Sequence, residues 1–214
     1  MSARVEPAPS EERAWWLRTL LVLGSPRSVF AALRDDSDAA VAARGEPLVA
    51  VVFLAGIAGV LATSVAGRLL DDPEFDALLI AVWAIVAGGI HGVFAYFLVG
   101  GLVHLGTSFA GSLGSYRRAR HLLGFAVVPL VVSLVIWPVR LAVHGSDAFR
   151  SGGVDADADS VFEALEVAFL AWCVVLLVIG IRTVHGWSLP RALAAAALPT
   201  ALPVLAVARS YDLL

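Results

Sequence analysis

Apolar positions in this chain gather into five long unbroken runs, and polar positions are confined to the segments between them. The runs cover residues 47–67, 77–109, 121–143, 161–182 and 189–208. A helix needs about 20 apolar residues to cross the hydrocarbon core of a bilayer, and each run reaches that length. Strands of a membrane barrel would alternate polar and apolar side chains; these runs do not alternate. In lipid every backbone amide must find its partner within the chain, so the runs are predicted to be helices. The expected fold is an all-α polytopic membrane protein, a bundle of five transmembrane helices over residues 47–214. An N-terminal arm over residues 1–46, with amphipathic interfacial helices, precedes it.

Helix punctuation supports this division. Ser25-Pro26 opens a short helix, with proline in the first turn where its missing N–H costs nothing. Ser188 followed by Leu189-Pro190 opens the fifth run in the same way. Ser160-Val-Phe-Glu163 has the spacing of a capping box for the fourth. Pro129 and Pro138 in the third run, and Pro199 and Pro203 in the fifth, are expected to bend those helices. In the arm, residues 11–23 place Trp16, Leu17, Leu20, Leu21 and Leu23 on one side of a helical wheel. Glu11, Glu12, Trp15, Arg18 and Thr19 fall mostly on the other. Residues 25–34 bring Val29, Phe30 and Leu33 to one face. Both helices are too short to span. They are expected to lie in the membrane interface, to pack beneath the bundle, or both.

Composition agrees with a membrane protein. Hydrophobic residues make up 59% and charged residues 15% of the 214, and mean hydropathy is +0.86; a soluble domain is nearer half apolar with a quarter charged. All 15 Lys-or-Arg positions are arginine, as a GC-rich coding bias would produce. The single cysteine, Cys173, excludes an intrachain disulfide and a cysteine-ligated metal. The acidic, proline-containing start does not read as a secretory signal.

The arginines also orient the chain. Arg4, Arg13, Arg18, Arg27, Arg34, Arg44, Arg117, Arg118, Arg120, Arg182 and Arg191 fall on one side of the runs; Arg68, Arg140, Arg150 and Arg209 fall on the other. Such an excess marks the cytoplasmic side. The N-terminus is therefore expected in the cytoplasm, the C-terminus outside, and the protein in the cell membrane. Acidic residues gather on the outer side: Asp71, Asp72, Glu74 and Asp76, then Asp147, Asp155, Asp157 and Asp159. The loop 147–159 reads as flexible, without the glycine and terminal glutamate of an EF-hand.

Residues 25–30 read Ser25-Pro26-Arg27-Ser28-Val29-Phe30, a Pro-x-x-x-Phe-like lead-in to the first run. Residues 102–129 hold an apolar helix end, a turn at Gly111 and Gly114, the polar run Arg117-Arg118, and a helix with an early Pro129. Residues 172–198 carry Gly180-Ile-Arg182-Thr-Val-His185-Gly186 leading to Leu189-Pro190-Arg191-Ala192. In order and spacing these three stretches resemble the Yip domain family, five-span membrane proteins known as Rab-interacting, and the absence of lysine with the Arg/Ala/Val bias suits a member of the bacterial type. The resemblance implies the five-span topology and a place in membrane organisation or trafficking, where eukaryotic members work with small GTPases.

Polar residues within apolar runs are candidate functional groups. His91 lies midway along the second run beside Gly88, Gly89 and Gly92, as a proton relay, a pore-lining group, or a neutral ring bonded to a neighbouring helix. His104, 13 residues later, falls on roughly the opposite side of that helix, so the two form no metal site by helix geometry. His121, His144 and His185 sit near interfaces. Glu163 and Glu166 share a helix face and are candidates to pair with Arg140, or to form an ion vestibule with it. Gly88-x-x-x-Gly92 and Ala55-x-x-x-Gly59-x-x-x-Thr63 have the spacing that lets helices approach closely, in the bundle or at a dimer face. Arg117, Arg118 and Arg120, with Tyr116, are candidates for contact with partners or anionic headgroups, at about 1 kcal/mol per charge, though topology alone would explain them.

No nucleophile stands beside a base at a motif spacing, and Gly111-x-x-Gly114 lacks the Gly-Lys-Ser/Thr ending of a phosphate loop. No catalytic residue, cofactor, metal or nucleic-acid partner is expected. The expected function is a non-enzymatic membrane module. It would bind protein partners or lipid through the arm and the Tyr116–His121 loop, with a homo-oligomer open. The alternative is a small permease or channel using the Gly/Pro-broken helices around His91. Five spans give no even inverted repeat, which counts against it.

Overall fold

The computed structural model describes residues 9–63, 69, 71–72, 77–150, 154 and 156–210. Arg4, residues 64–67 of the first run, Arg68, Glu74, Asp76 and Asp155 lie outside the described residues, as do the side chains of Asp157, Pro203 and Arg209. Among the described residues every regular element is a helix. The arm holds α1 (Pro9–Leu21), α2 (Pro26–Ala32) and α3 (Asp38–Ala43). Then follow α4 (Gly45–Leu61) and α5 (Ala77–Phe109). The third apolar run is divided into α6 (Tyr116–Ala126), α7 (Val128–Ser133) and α8 (Ile136–His144), which leads into a 3-10 turn at Gly145–Phe149. α9 (Ala156–His185) and α10 (Leu189–Ser210) close the chain.

Among the described residues, three stretches are long and apolar enough to cross a membrane: Leu78–Phe109, Tyr116–His144 and Asp159–His185. α4 is a shorter apolar helix of 17 residues, about 25 Å long at 1.5 Å per residue. α5 has the bounds its apolar run gave. The breaks in the third run follow its prolines: Pro129 stands at the start of α7 and Pro138 in the first turn of α8. Proline cannot donate to the carbonyl four residues back and its ring crowds that carbonyl. α9 opens at Ala156, so Ser160 lies inside the helix and does not cap it. That corrects the expected capping box.

Successive long elements run antiparallel, as contacts at their ends record. At the arm end, Arg191 at the start of α10 donates from Nε to the carbonyl of Ala110 at 2.8 Å, just beyond α5. α5 and α9 each stop there in a left-handed glycine, Gly111 at φ 90° and Gly186 at φ 67°. The next amide in each case reaches back five residues, Ser112 to Thr107 at 2.9 Å and Trp187 to Arg182 at 3.1 Å, the Schellman closure that glycine permits. At the far end Ile80, Trp137, Ala148 and Phe149 form a small cluster. Trp137 and Phe149 stack at 5.5 Å. Ala148 and Phe149 are thus packed at the start of the 147–159 loop that was expected to be flexible; residues 151–153 and 155 lie outside the described residues.

The arm shares the main core. Trp15, Val22, Phe30 and Leu33 pack with Leu48, Val103, Leu122, Phe125, Leu176 and Ile181. The rings of Trp15 and Phe125 stand 5.3 Å apart. Trp15 and Thr19, expected on the polar side of the α1 wheel, face inward instead. Trp15, Thr19 and Val22 repeat at i, i+4 and i+7, and this stripe is the one that docks. Trp16, Leu17, Leu20 and Leu21 point outward, 43–68% exposed.

Glycines seat α4 on α5. A Cβ on Gly56 would stand 2.6 Å from the Gly92 Cα, and one on Gly88 would stand 2.6 Å from the Ile57 Cα. The Gly88/Gly92 spacing therefore serves packing within the bundle. Its central partner is Gly56, between the Ala55 and Gly59 positions that the sequence singled out.

Candidate functional site

A dense polar cluster lies where the arm meets α4 and α6. Ser37 caps α3, its hydroxyl accepting the Ala40 amide at 3.3 Å. The Asp35 carboxylate accepts the Ser37 amide at 3.0 Å, a bond that holds its pKa below the ordinary value. This turn places Asp36 between the starts of α4 and α6. Arg44, wholly buried, donates from Nη1 to the Asp35 carbonyl at 2.8 Å and from Nη2 to Asp36 Oδ1 at 3.1 Å. Its Nε donates to His121 Nδ1 at 2.8 Å. That bond requires a lone pair on Nδ1, so the neutral His121 carries its proton on Nε2. Burial draws the Arg44 pKa below its ordinary value, and the Asp36 charge pulls it back.

The same aspartate gathers the loop before α6. Ser115 caps α6 by accepting the Arg118 amide at 3.1 Å and donates its hydroxyl to Asp36 Oδ2 at 2.7 Å. Arg117 donates from Nη2 to the Asp36 carbonyl at 2.9 Å and from Nη1 to Asp38 at 3.3 Å. Arg118 lies 3.8 Å from Asp36 and donates to the Arg34 carbonyl at 3.2 Å. Arg117 and Arg118, candidates for headgroup or partner contact, thus fasten the arm to α6.

Arg120 is placed differently. Its guanidinium lies over the rings of Tyr96, Phe97 and Tyr116, at 5.3, 4.5 and 4.7 Å. Each such contact stabilises a partly desolvated cation. Gly100 makes the room: a Cβ there would stand 2.5 Å from Arg120 Cγ. Tyr116 closes the cage by donating its hydroxyl to the Phe97 carbonyl at 2.7 Å.

Within the apolar region the candidates separate. His91 lies against Gly59, where a Cβ would stand 3.2 Å from Nε2. It lines a cavity of about 240 Å³ with Gly56, Gly92, Tyr96, Cys173 and Leu177. His104 packs against Tyr116, ring centres 5.8 Å apart, away from His91. No group of three or more His, Cys, Asp or Glu residues is placed to hold a metal among the described residues. At the far end Arg140 pairs with Asp159, and its Nη1 donates to Glu166 Oε1 at 3.5 Å. Glu163 is exposed and makes no ion pair with Arg140 among the described residues. The second acidic partner is Asp159, which the sequence placed in the outer loop. It reaches Arg140 because α9 begins earlier than its capping residues suggested.

Nothing in the sequence marks Asp36 and Arg44 as a site. Ser37-Asp38 is a helix-start signal, but nothing local links it to Arg117 or His121, about 80 positions on.

Helices of this length and hydropathy, antiparallel around one core, define a multi-pass membrane protein associated with the lipid bilayer. The Yip1 domain model matches residues 20–209, and the chain belongs to the Yip1 domain family. No curated protein and no solved structure matches the chain.

Proposed function

We propose that the protein is a non-enzymatic, five-span module of membrane organisation, with its N-terminus in the cytoplasm and its C-terminus outside the cell membrane. In this reading α4, α5, α6–α8, α9 and α10 are the spans. Their antiparallel order and the arginine excess at the arm end support it. The function is to hold a docked cytoplasmic arm as a surface for protein partners, with a second copy of the chain among the candidates. The observation that carries it is the Asp36 cluster, which joins the arm to α4 and α6 through Arg44, Arg117 and Ser115. A merely tethered arm has no need of a buried guanidinium with a partner on each of its three nitrogens.

Crosslinking in the native membrane, with mass spectrometry of what co-purifies, tests this. A partner captured by the parent chain and lost both in Asp36→Asn and in the Arg117→Ala/Arg118→Ala/Arg120→Ala variant is the expected result. A partner set unchanged in both variants removes the arm from the function.

A permease built around His91 has little support. The cavity beside His91 has no carboxylate or guanidinium among its described lining residues, so an ion there would find little to replace its hydration. The glycines that suggested a broken helix are taken up by helix packing.

A further inference from the structure

We propose that a basic cleft between α2 and the end of α9 binds the phosphate headgroup of an anionic phospholipid. The cleft measures about 330 Å³ and is lined by Arg27, Arg34, Ile179, Arg182, Thr183 and Trp187. Three arginines, two from the arm and one from α9, line it, and no acidic side chain is among its described lining residues. Arg34 is fixed in the wall, since its Nε donates to the Thr183 carbonyl at 3.2 Å. Arg27 and Arg182 are exposed and, unlike Arg117 and Arg118, make no ion pair among the described residues. Cations gathered in this way repel one another, and a bound phosphate would neutralise them. The planar guanidinium suits phosphate oxygens in paired hydrogen bonds.

The surroundings select a lipid over a free anion. Trp172, Val175, Ile179 and Arg182 lie at i, i+3, i+7 and i+10 on α9, one stripe of the helix surface. Trp172 and Val175 are 38% and 53% exposed. The stripe runs from the arginines along the apolar length of α9, where an acyl chain can lie. Trp187 closes the cleft at the level where tryptophan ordinarily marks the membrane interface. Inorganic phosphate would make no use of that stripe. The inference goes beyond partner binding, and it rests on that reading only for the leaflet, which the arginine excess assigns to the cytoplasmic side.

The full chain in mild detergent is titrated with phosphatidylglycerol, with phosphatidylcholine and with inorganic phosphate, and adducts are counted by native mass spectrometry. Phosphatidylglycerol should be retained in preference to phosphatidylcholine. Each surface arginine contributes about a fivefold preference near anionic lipid. Arg27→Gln/Arg182→Gln should therefore reduce the preference by roughly 20-fold, with the unfolding midpoint unchanged. Arg150→Gln, at the far end, should leave it intact. Equal retention of the two lipids, or a double variant that binds like the parent chain, overturns the proposal. Displacement of phosphatidylglycerol by millimolar phosphate would assign a soluble anion and overturn the lipid source. Arm docking and partner capture are read by other variants, so their failure leaves this result standing.

Discussion

The Nε of Arg44 donates to Nδ1 of His121 across 2.8 Å, joining the residue before α4 to the second turn of α6. The guanidinium also serves the Asp35 carbonyl and the Asp36 carboxylate, so three acceptors depend on one buried side chain. Removing one member of a buried charged set costs about 3–5 kcal/mol, because the others are left unpaired. Arg44→Ala should lower the thermal unfolding midpoint in detergent by several degrees and open the arm to trypsin at Arg27 and Arg34. Arg44→Lys should not rescue it, since an ammonium cannot reproduce the fork. An Arg44→Ala protein that melts normally with a protected arm would show that the cluster is incidental.

The seam between α4 and α5 predicts a steep size dependence at Gly56. A methyl there must displace backbone, with the Gly92 Cα only 2.6 Å from the position of a Cβ. Overpacking of this kind costs about 1–3 kcal/mol, and rigid backbone on the far side places Gly56→Ala at the upper end. Gly24→Ala, where nothing lies within 4 Å of the added carbon, should be near neutral. Helical circular dichroism through a thermal ramp compares the two; matching curves would mean that the helices can move apart at little cost.

How much of this was legible in the chain depends on the range of the signal. The bounds of α5 are local, because a long apolar run ends at Gly111 and Ser115, residues that stop one helix and start the next. The breaks of the third run follow from Pro129 and Pro138, each of which acts within one turn. The inward face of α1 was misread because that helix is apolar on two sides, and a wheel cannot tell which side finds a neighbour. Arg117 was legible as a candidate, but Asp36 and Arg44 and their link to it were not, since about 80 residues separate the arm from α6 and only the packed bundle brings them together. Arg120 gave no sign of its cage, because Tyr96 and Phe97 read as ordinary members of an apolar run.

Arg140 sorts the acidic residues of α9. It pairs with Asp159 and with Glu166, while Glu163 is exposed. Arg140→Leu should destabilise the protein by roughly 3–5 kcal/mol, as the buried Asp159 and the half-buried Glu166 lose their cation. The triple change Arg140→Leu/Asp159→Leu/Glu166→Leu should recover much of that loss, because the uncompensated charges are removed with it. Glu163→Gln should move the denaturation midpoint little. A Glu163→Gln loss as large as that of Glu166→Gln would show that Arg140 serves both glutamates.

The outward face of α1 predicts where that helix lies relative to lipid. Trp15 and Val22 point into the core, while Trp16, Leu17, Leu20 and Leu21 are left uncovered. An amphipathic helix with such a face gains by burying it among the headgroups. Leu17→Cys in a Cys173→Ser background, labelled with a polarity-sensitive dye, should emit from an apolar environment in lipid discs. The same label at Gly24→Cys, just past the end of α1, should report water. Adding Leu20→Glu should shift the Leu17→Cys signal towards water and leave the unfolding midpoint unchanged, because the inward stripe and the Asp36 cluster still hold the arm. Identical aqueous spectra at both positions in discs would place α1 above the bilayer and leave its apolar face for a protein partner.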